Sequence, residues 1–222
     1  MKIPGLIIFD VNETLLDLNP LKEKINKVLR NEQAFEIWFR SLLHYSLVET
    51  TTNSYNDFGS IGKATFKMTA QSLEVNLGEN EIEDILGLIK KLPPHPDVID
   101  GLKKLKDAGH ILVTLTNGNY PTLREQLSHA EIREYFTEIF SVDSVSKYKP
   151  HCETYLYVLE QMNISSKNAM LVAAHGWDIT GAKKAGLQTA FISRLGKFKY
   201  PLAQDSDYTA NTILELANQL LK

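Results

Sequence analysis

Short runs of apolar residues recur along the chain, each only four to six residues long. The first, Gly5-Leu-Ile-Ile-Phe-Asp10, ends in a carboxylate, and similar runs follow at Ile111 to Thr116, Glu138 to Val142, Ala169 to Ala174 and Thr189 to Ile192. Runs of this length, apolar on both faces, predict buried parallel strands. Helical spacing lies between them, at Val98 to Ala108, Thr122 to Leu127, Glu153 to Met162 and Thr180 to Ala185. Gly109 and Gly186 each stand where a left-handed residue would close the preceding helix. Strand and helix in alternation predict an α/β protein, a doubly wound parallel sheet covered on both faces.

From about Asp17 to Pro94 the alternation stops. Trp38, Leu42, Leu43, Tyr45 and Leu47 cluster in one segment, and Ile82, Ile85, Leu86 and Ile89 mark a helix face. Pro93, Pro94 and Pro96 stiffen the return to the strand-bearing part. The reading is a Rossmann-like core of residues 1–16 and 95–222 with a helical cap, residues 17–94, inserted after the first strand.

Composition narrows the function. Hydrophobic residues are 43% of 222 and the formal net charge is −3, with no long basic run. A nucleic-acid-binding or membrane-binding role is not expected. No apolar run is long enough to span a bilayer, and the first meets Asp10 too soon for a signal peptide, so a cytoplasmic location is expected. The single cysteine, Cys152, excludes a disulfide framework and has no histidine partner in a recognisable motif.

In open parallel sheets ligands bind off the carboxyl ends of the strands. Asp10, Thr116, Asn117, Lys149, His175 and Asp178 all follow strand-like runs, so they would converge. Four ordered motifs, Asp10-Val11-Asn12-Glu13-Thr14, Leu115-Thr116-Asn117-Gly118, Tyr148-Lys149-Pro150 and Gly176-Trp177-Asp178, resemble the haloacid dehalogenase superfamily, most closely its L-specific 2-haloacid dehalogenase branch. The resemblance implies Asp10 as nucleophile, Thr14 in the turn behind it and Lys149 facing it. Asp10 would displace halide from C2 of a 2-haloacid, leaving an aspartyl ester for water to hydrolyse to a 2-hydroxyacid.

Asn12 stands where the superfamily's phosphatases carry a second aspartate, the acid that protonates an alkoxide leaving group. A departing halide needs no proton. Residues 173–178 contain one acid, Asp178, where magnesium enzymes of the superfamily have more, so neither a metal nor another cofactor is expected. Ala173 and His175 replace the branch's usual serine and asparagine. That leaves two assignments for water activation: His175 as general base oriented by Glu13, or Asp178 with Lys149 and His175 as a wall.

Substrate contacts are expected from Thr116, Asn117, Asn12 and Tyr155, with an apolar wall of Trp177, Phe39, Leu43 and Phe58. Arg40 is the cap's candidate to hold halide or carboxylate as a cation, although counting back from Tyr45 puts the family's arginine nearer Phe39. The expected activity is hydrolytic dehalogenation of short L-2-haloalkanoic acids, with a homodimer allowed by the resemblance. The alternatives are a magnesium-dependent phosphatase of the same fold and a catalytically silent binding protein.

Overall fold

The computed structural model describes residues 4–222. Its sheet has six parallel strands: β1 (Leu6–Phe9), β2 (Ile111–Thr116), β3 (Glu138–Ser141), β4 (Ala169–Ala173), β5 (Gln188–Ile192) and β6 (Tyr208–Ala210). They lie in the order β3-β2-β1-β4-β5-β6. The central strand β1 pairs Phe9 with Thr114 on one side and Val172 on the other, and its four side chains are completely buried. A strand covered on both faces needs apolar residues at every position, which is why β1 and β4 are continuous apolar runs.

Helices α5 (Val98–Asp107), α6 (Tyr120–His129), α7 (Cys152–Gln161), α8 (Gly176–Lys184) and α9 (Ile213–Leu220) cover the sheet. Gly109 and Gly186 have φ of 88° and 86°, the left-handed conformation expected after α5 and α8. Strand order reverses between β1 and β4, so a crevice forms off their carboxyl ends. Asp10 and the loop Ala174–His175 sit at that crevice.

The cap comprises α1 (Asn19–Val28), α2 (Ala34–Thr52), α3 (Phe58–Ser72) and α4 (Glu79–Gly87). The chain enters and leaves it side by side: Asp17 N–H donates to Pro93 O and His95 N–H to Leu15 O, both at 2.9 Å. The cap has its own aromatic core, with Phe35 stacked on Phe39 at 5.5 Å and Trp38 edge-on to Phe66. Tyr45 and Leu47, which cluster with Trp38 and Leu42 along the sequence, are exposed. Polar links close the cap on the core: Tyr148 N–H donates to Thr50 Oγ1 at 3.0 Å, and Asn119 Nδ2 donates to Asp57 Oδ1 at 3.3 Å. No helix among the described residues is long and apolar enough to cross a membrane.

Candidate active site

Directly after β1 the chain folds back on itself. Leu15 and Leu16 N–H both donate to Val11 O, and Glu13 N–H to Leu16 O. Within this loop Glu13 has φ of 63°, a left-handed conformation that a non-glycine residue adopts at a cost. Its carboxylate Oε2 lies 2.9 Å from His175 Nε2, while the other imidazole nitrogen, Nδ1, lies 3.0 Å from Asp10 Oδ2. One imidazole thus bridges two carboxylates.

Asp10 is held on both oxygens. Thr14 Oγ1 donates to Oδ2 at 2.6 Å, and Ala174 N–H donates to Thr14 Oγ1 at 2.9 Å, fixing the hydroxyl's direction. Lys149 Nζ donates to Oδ1 at 2.9 Å. The same ammonium donates to Asp178 Oδ2 at 2.7 Å and Leu115 O at 2.9 Å, which uses all three of its protons. Asp178 Oδ1 accepts from Tyr155 Oη at 2.6 Å. Gly181 permits this packing, since a Cβ there would meet Pro150 Cβ at 2.5 Å and Tyr155 Oη at 2.6 Å.

The two carboxylates sharing Lys149 are shifted in opposite directions. Burial raises both. For Asp10 the charges of Lys149 and His175 and the hydrogen bonds from His175 and Thr14 win, holding it well below the usual carboxylate range. Asp178 has Lys149 but also the repulsion of Asp10, and is raised from its ordinary value. Burial pulls His175 down, yet hydrogen bonds to Asp10 and Glu13 and their charges push it up to about 9. Burial lowers Lys149, and the charges of Asp10 and Asp178 more than restore it. At neutral pH the centre is an ionised Asp10 between an imidazolium and an ammonium.

A cleft of about 280 Å³ opens over this centre. Asp10, Asn12, Thr116, Asn117, Lys149 and His175 line it, with Phe39, Leu43, Phe58 and Trp177 as apolar walls. Trp177 stacks on His175 with ring centroids 5.0 Å apart. Asn117 Oδ1 accepts from Lys149 N–H at 2.9 Å, which fixes the amide's orientation, and the buried Nδ2 has no partner. An uncommitted donor at a cleft is a ready anion contact.

The family model for haloacid dehalogenase-like hydrolases matches residues 7–192. The chain belongs to this family. A relative from Pseudomonas sp. (strain YL), an (S)-2-haloacid dehalogenase, is 26% identical over 209 residues, covering 93% of this chain and 90% of that protein. The (S)-2-haloacid dehalogenase 4A of Burkholderia cepacia is 29% identical over 198 residues, 85% of this chain and 83% of its own. The solved L-2-haloacid dehalogenase of Xanthobacter autotrophicus superposes with a TM-score of 0.92 at 22% identity, covering 98% of each chain, a likeness of fold.

As a haloacid dehalogenase-like hydrolase the chain departs from its motif-based expectations in three places. Arg40 is exposed on α2 and does not line the cleft, whereas its neighbour Phe39 does. Tyr155 is not at the substrate: it is fully buried and bonded to Asp178. Asp178 is fully buried in the first turn of α8 with both oxygens engaged, so it does not reach the cleft where water would be activated. Two contacts escaped the motifs. Lys197 pairs with Glu13 Oε1 at 2.5 Å, and Gln126 Nε2 donates to Asn12 Oδ1 at 2.9 Å.

The donor set does not fit magnesium. The inner oxygens of Asp10 and Asp178 already share the Lys149 ammonium, and Asn12 supplies no carboxylate. Because Arg40 lies outside the site, Arg40→Ala is expected to change kcat/KM for a 2-haloacid by less than about threefold. A loss of a hundredfold or more in steady-state halide release would return Arg40 to the site.

Proposed function

We propose that this protein hydrolyses L-2-haloalkanoic acids to 2-hydroxyacids and halide through an ester on Asp10, without a metal. The observation that carries the reading is an ionised, buried Asp10 at the end of β1, fixed by Thr14 and Lys149 and bridged by His175 to Glu13. In-line displacement at C2 forms the Asp10–carbon bond and breaks the carbon–halogen bond, with the electron pair leaving on halide. Asn117 Nδ2 offers a contact for halide or substrate carboxylate, the charges of Lys149 and His175 favour an anion there, and Thr116 borders the cleft.

Ester formation removes the charge on Asp10, one of the two charges that hold the proton on His175. The imidazole then releases a proton more readily, and its Nδ1, already directed at Asp10, becomes the base for water attacking the ester carbonyl. Lys149 stabilises the oxyanion that develops on the Asp10 carbonyl oxygen. Water's first proton passes through His175 to the departing alkoxide of the 2-hydroxyacid. Its second, left on the Asp10 carboxyl that now carries an oxygen from water, returns to His175 to replace the proton lost to solvent after ester formation. Glu13 holds the ring by its second nitrogen, in the manner of a triad's third member. Asp178, Tyr155 and Leu115 O serve by positioning Lys149.

Halide release from L-2-bromopropionate is expected to persist in excess chelator and to disappear in Asp10→Ala. Magnesium-dependent phosphate release without halide release would overturn the reading. The same proposal includes a cytoplasmic homodimer, suggested by family resemblance; sedimentation equilibrium at the mass of a single chain would refute the dimer.

A further inference from the structure

Next to the catalytic cleft, and sharing Asn12, Phe39 and Phe58 with it, cap and core flank a second chamber of about 90 Å³ that is partly open to solvent. No ionisable side chain lines it. Trp38, Leu42, Leu86 and Ile89 give it carbon walls, and its amides are turned to the protein. Gln126 Nε2 donates to Asn12 Oδ1 and Ile89 O, both at 2.9 Å, and Asn119 is used by Thr122 N–H and Asp57.

Gly62 gives a second, separate indication. It lies inside α3, where glycine costs helix stability relative to alanine. A Cβ there would meet Leu42 at 3.7 Å and Trp38 at 3.8 Å, ordinary contact distances, so packing does not require glycine. What the missing side chain leaves is space in the chamber.

We propose that this chamber seats the C2 substituent of the substrate, and that the substituent is an apolar chain longer than methyl. The inference rests on the dehalogenase reading and extends it from short acids to medium-chain ones. Four groups surround the reacting carbon. The carboxylate is an anion and the halogen departs as one, so both need the donors of the catalytic cleft, since an ion in the chamber would be desolvated without a partner. Hydrogen needs no room. The substituent alone is uncharged and extensible, and Asn12, Phe39 and Phe58 line both the catalytic cleft and the chamber.

The test compares kcat/KM for L-2-bromopropionate and L-2-bromohexanoate in the wild type, Gly62→Ala and Gly62→Leu. Each buried methylene contributes about fourfold, so the wild type is expected to favour the hexanoate by roughly tenfold or more. Gly62→Leu is expected to lower the hexanoate-to-propionate ratio by about tenfold, and Gly62→Ala, which the spacing accommodates, by a smaller factor. A wild-type constant that falls with chain length, or a ratio unchanged in both variants, would overturn the proposal. Equal slowing of both acids would make the chamber a passage, which also overturns it. Calorimetry with 2-hydroxyhexanoate and lactate separates the two readings. Tighter binding of the hexanoate without halide release from either acid would sink the dehalogenase reading and keep the apolar seat, whereas equal binding would sink the seat.

Discussion

His175→Asn is expected to stop the enzyme after its first half-reaction. Steady-state halide release should fall by about 10²–10⁴, the range for loss of a general base. A burst of halide equivalent to one turnover should remain, because Asp10 keeps its bonds to Thr14 and Lys149. The trapped ester would appear by mass spectrometry as an adduct on the peptide containing Asp10. Glu13→Gln keeps the side-chain size but removes the charge beside Nε2, so its loss of turnover should be smaller. Unchanged turnover in His175→Asn would take water activation away from the imidazole.

The same imidazole sets a pH dependence of stability. Its proton is held more tightly in the folded chain, at about 9, than at its ordinary value of 6.5. A raised value contributes stability that is complete below 6.5 and is lost as pH rises through about 9. The melting temperature should therefore fall between pH 7 and pH 9.5 in the wild type, and fall less in His175→Asn. Burial of the ring, which opposes the proton, limits the effect.

How much of this was legible in the sequence depends on where each signal resides. The five buried strands were, because strands covered on both faces write themselves as apolar runs. The edge strand β6 was not: it has three residues, and only Ala210 is buried. The start of α8 was placed four residues late, at Thr180, because Gly176 and Asp178, both in its first turn, are weak helix formers. Arg40 and Phe39 show the limit of counting along a helix. Adjacent residues are about 100° apart around the axis, so a register error of one residue exchanges cleft for solvent. The Glu13–His175 bridge could be anticipated because motif order places both at the same sheet end. Lys197 and Gln126 carried no such signal, being brought in by a loop and by an otherwise ordinary helix face.

The largest combined effect is expected from Lys149→Met. Its ammonium is 1% exposed and stands between Asp10 and Asp178, whose carboxylates are 6% and 0% exposed. Removing one partner of a buried ionic group typically costs about 3–5 kcal/mol, because the remaining charges are left uncompensated. Here two carboxylates would lose the cation they share, with only His175, Thr14 and Tyr155 to bind them. The destabilised pair relieves itself by taking up a proton. Asp178, already raised from its ordinary value while Asp10 is lowered, gains that proton first, and Asp10 rises as well. The variant should thus lose nucleophile and oxyanion contact together, with halide release down by about 10³ or more. Urea unfolding should show a loss of about 3 kcal/mol at pH 7. The deficit should narrow at pH 5, because protonation of the orphaned carboxylates removes their repulsion while the wild type gains nothing comparable from it. Wild-type stability at both pH values would mean that Lys149 is dispensable to the buried centre, and the charge assignment of Asp10 would fall with it.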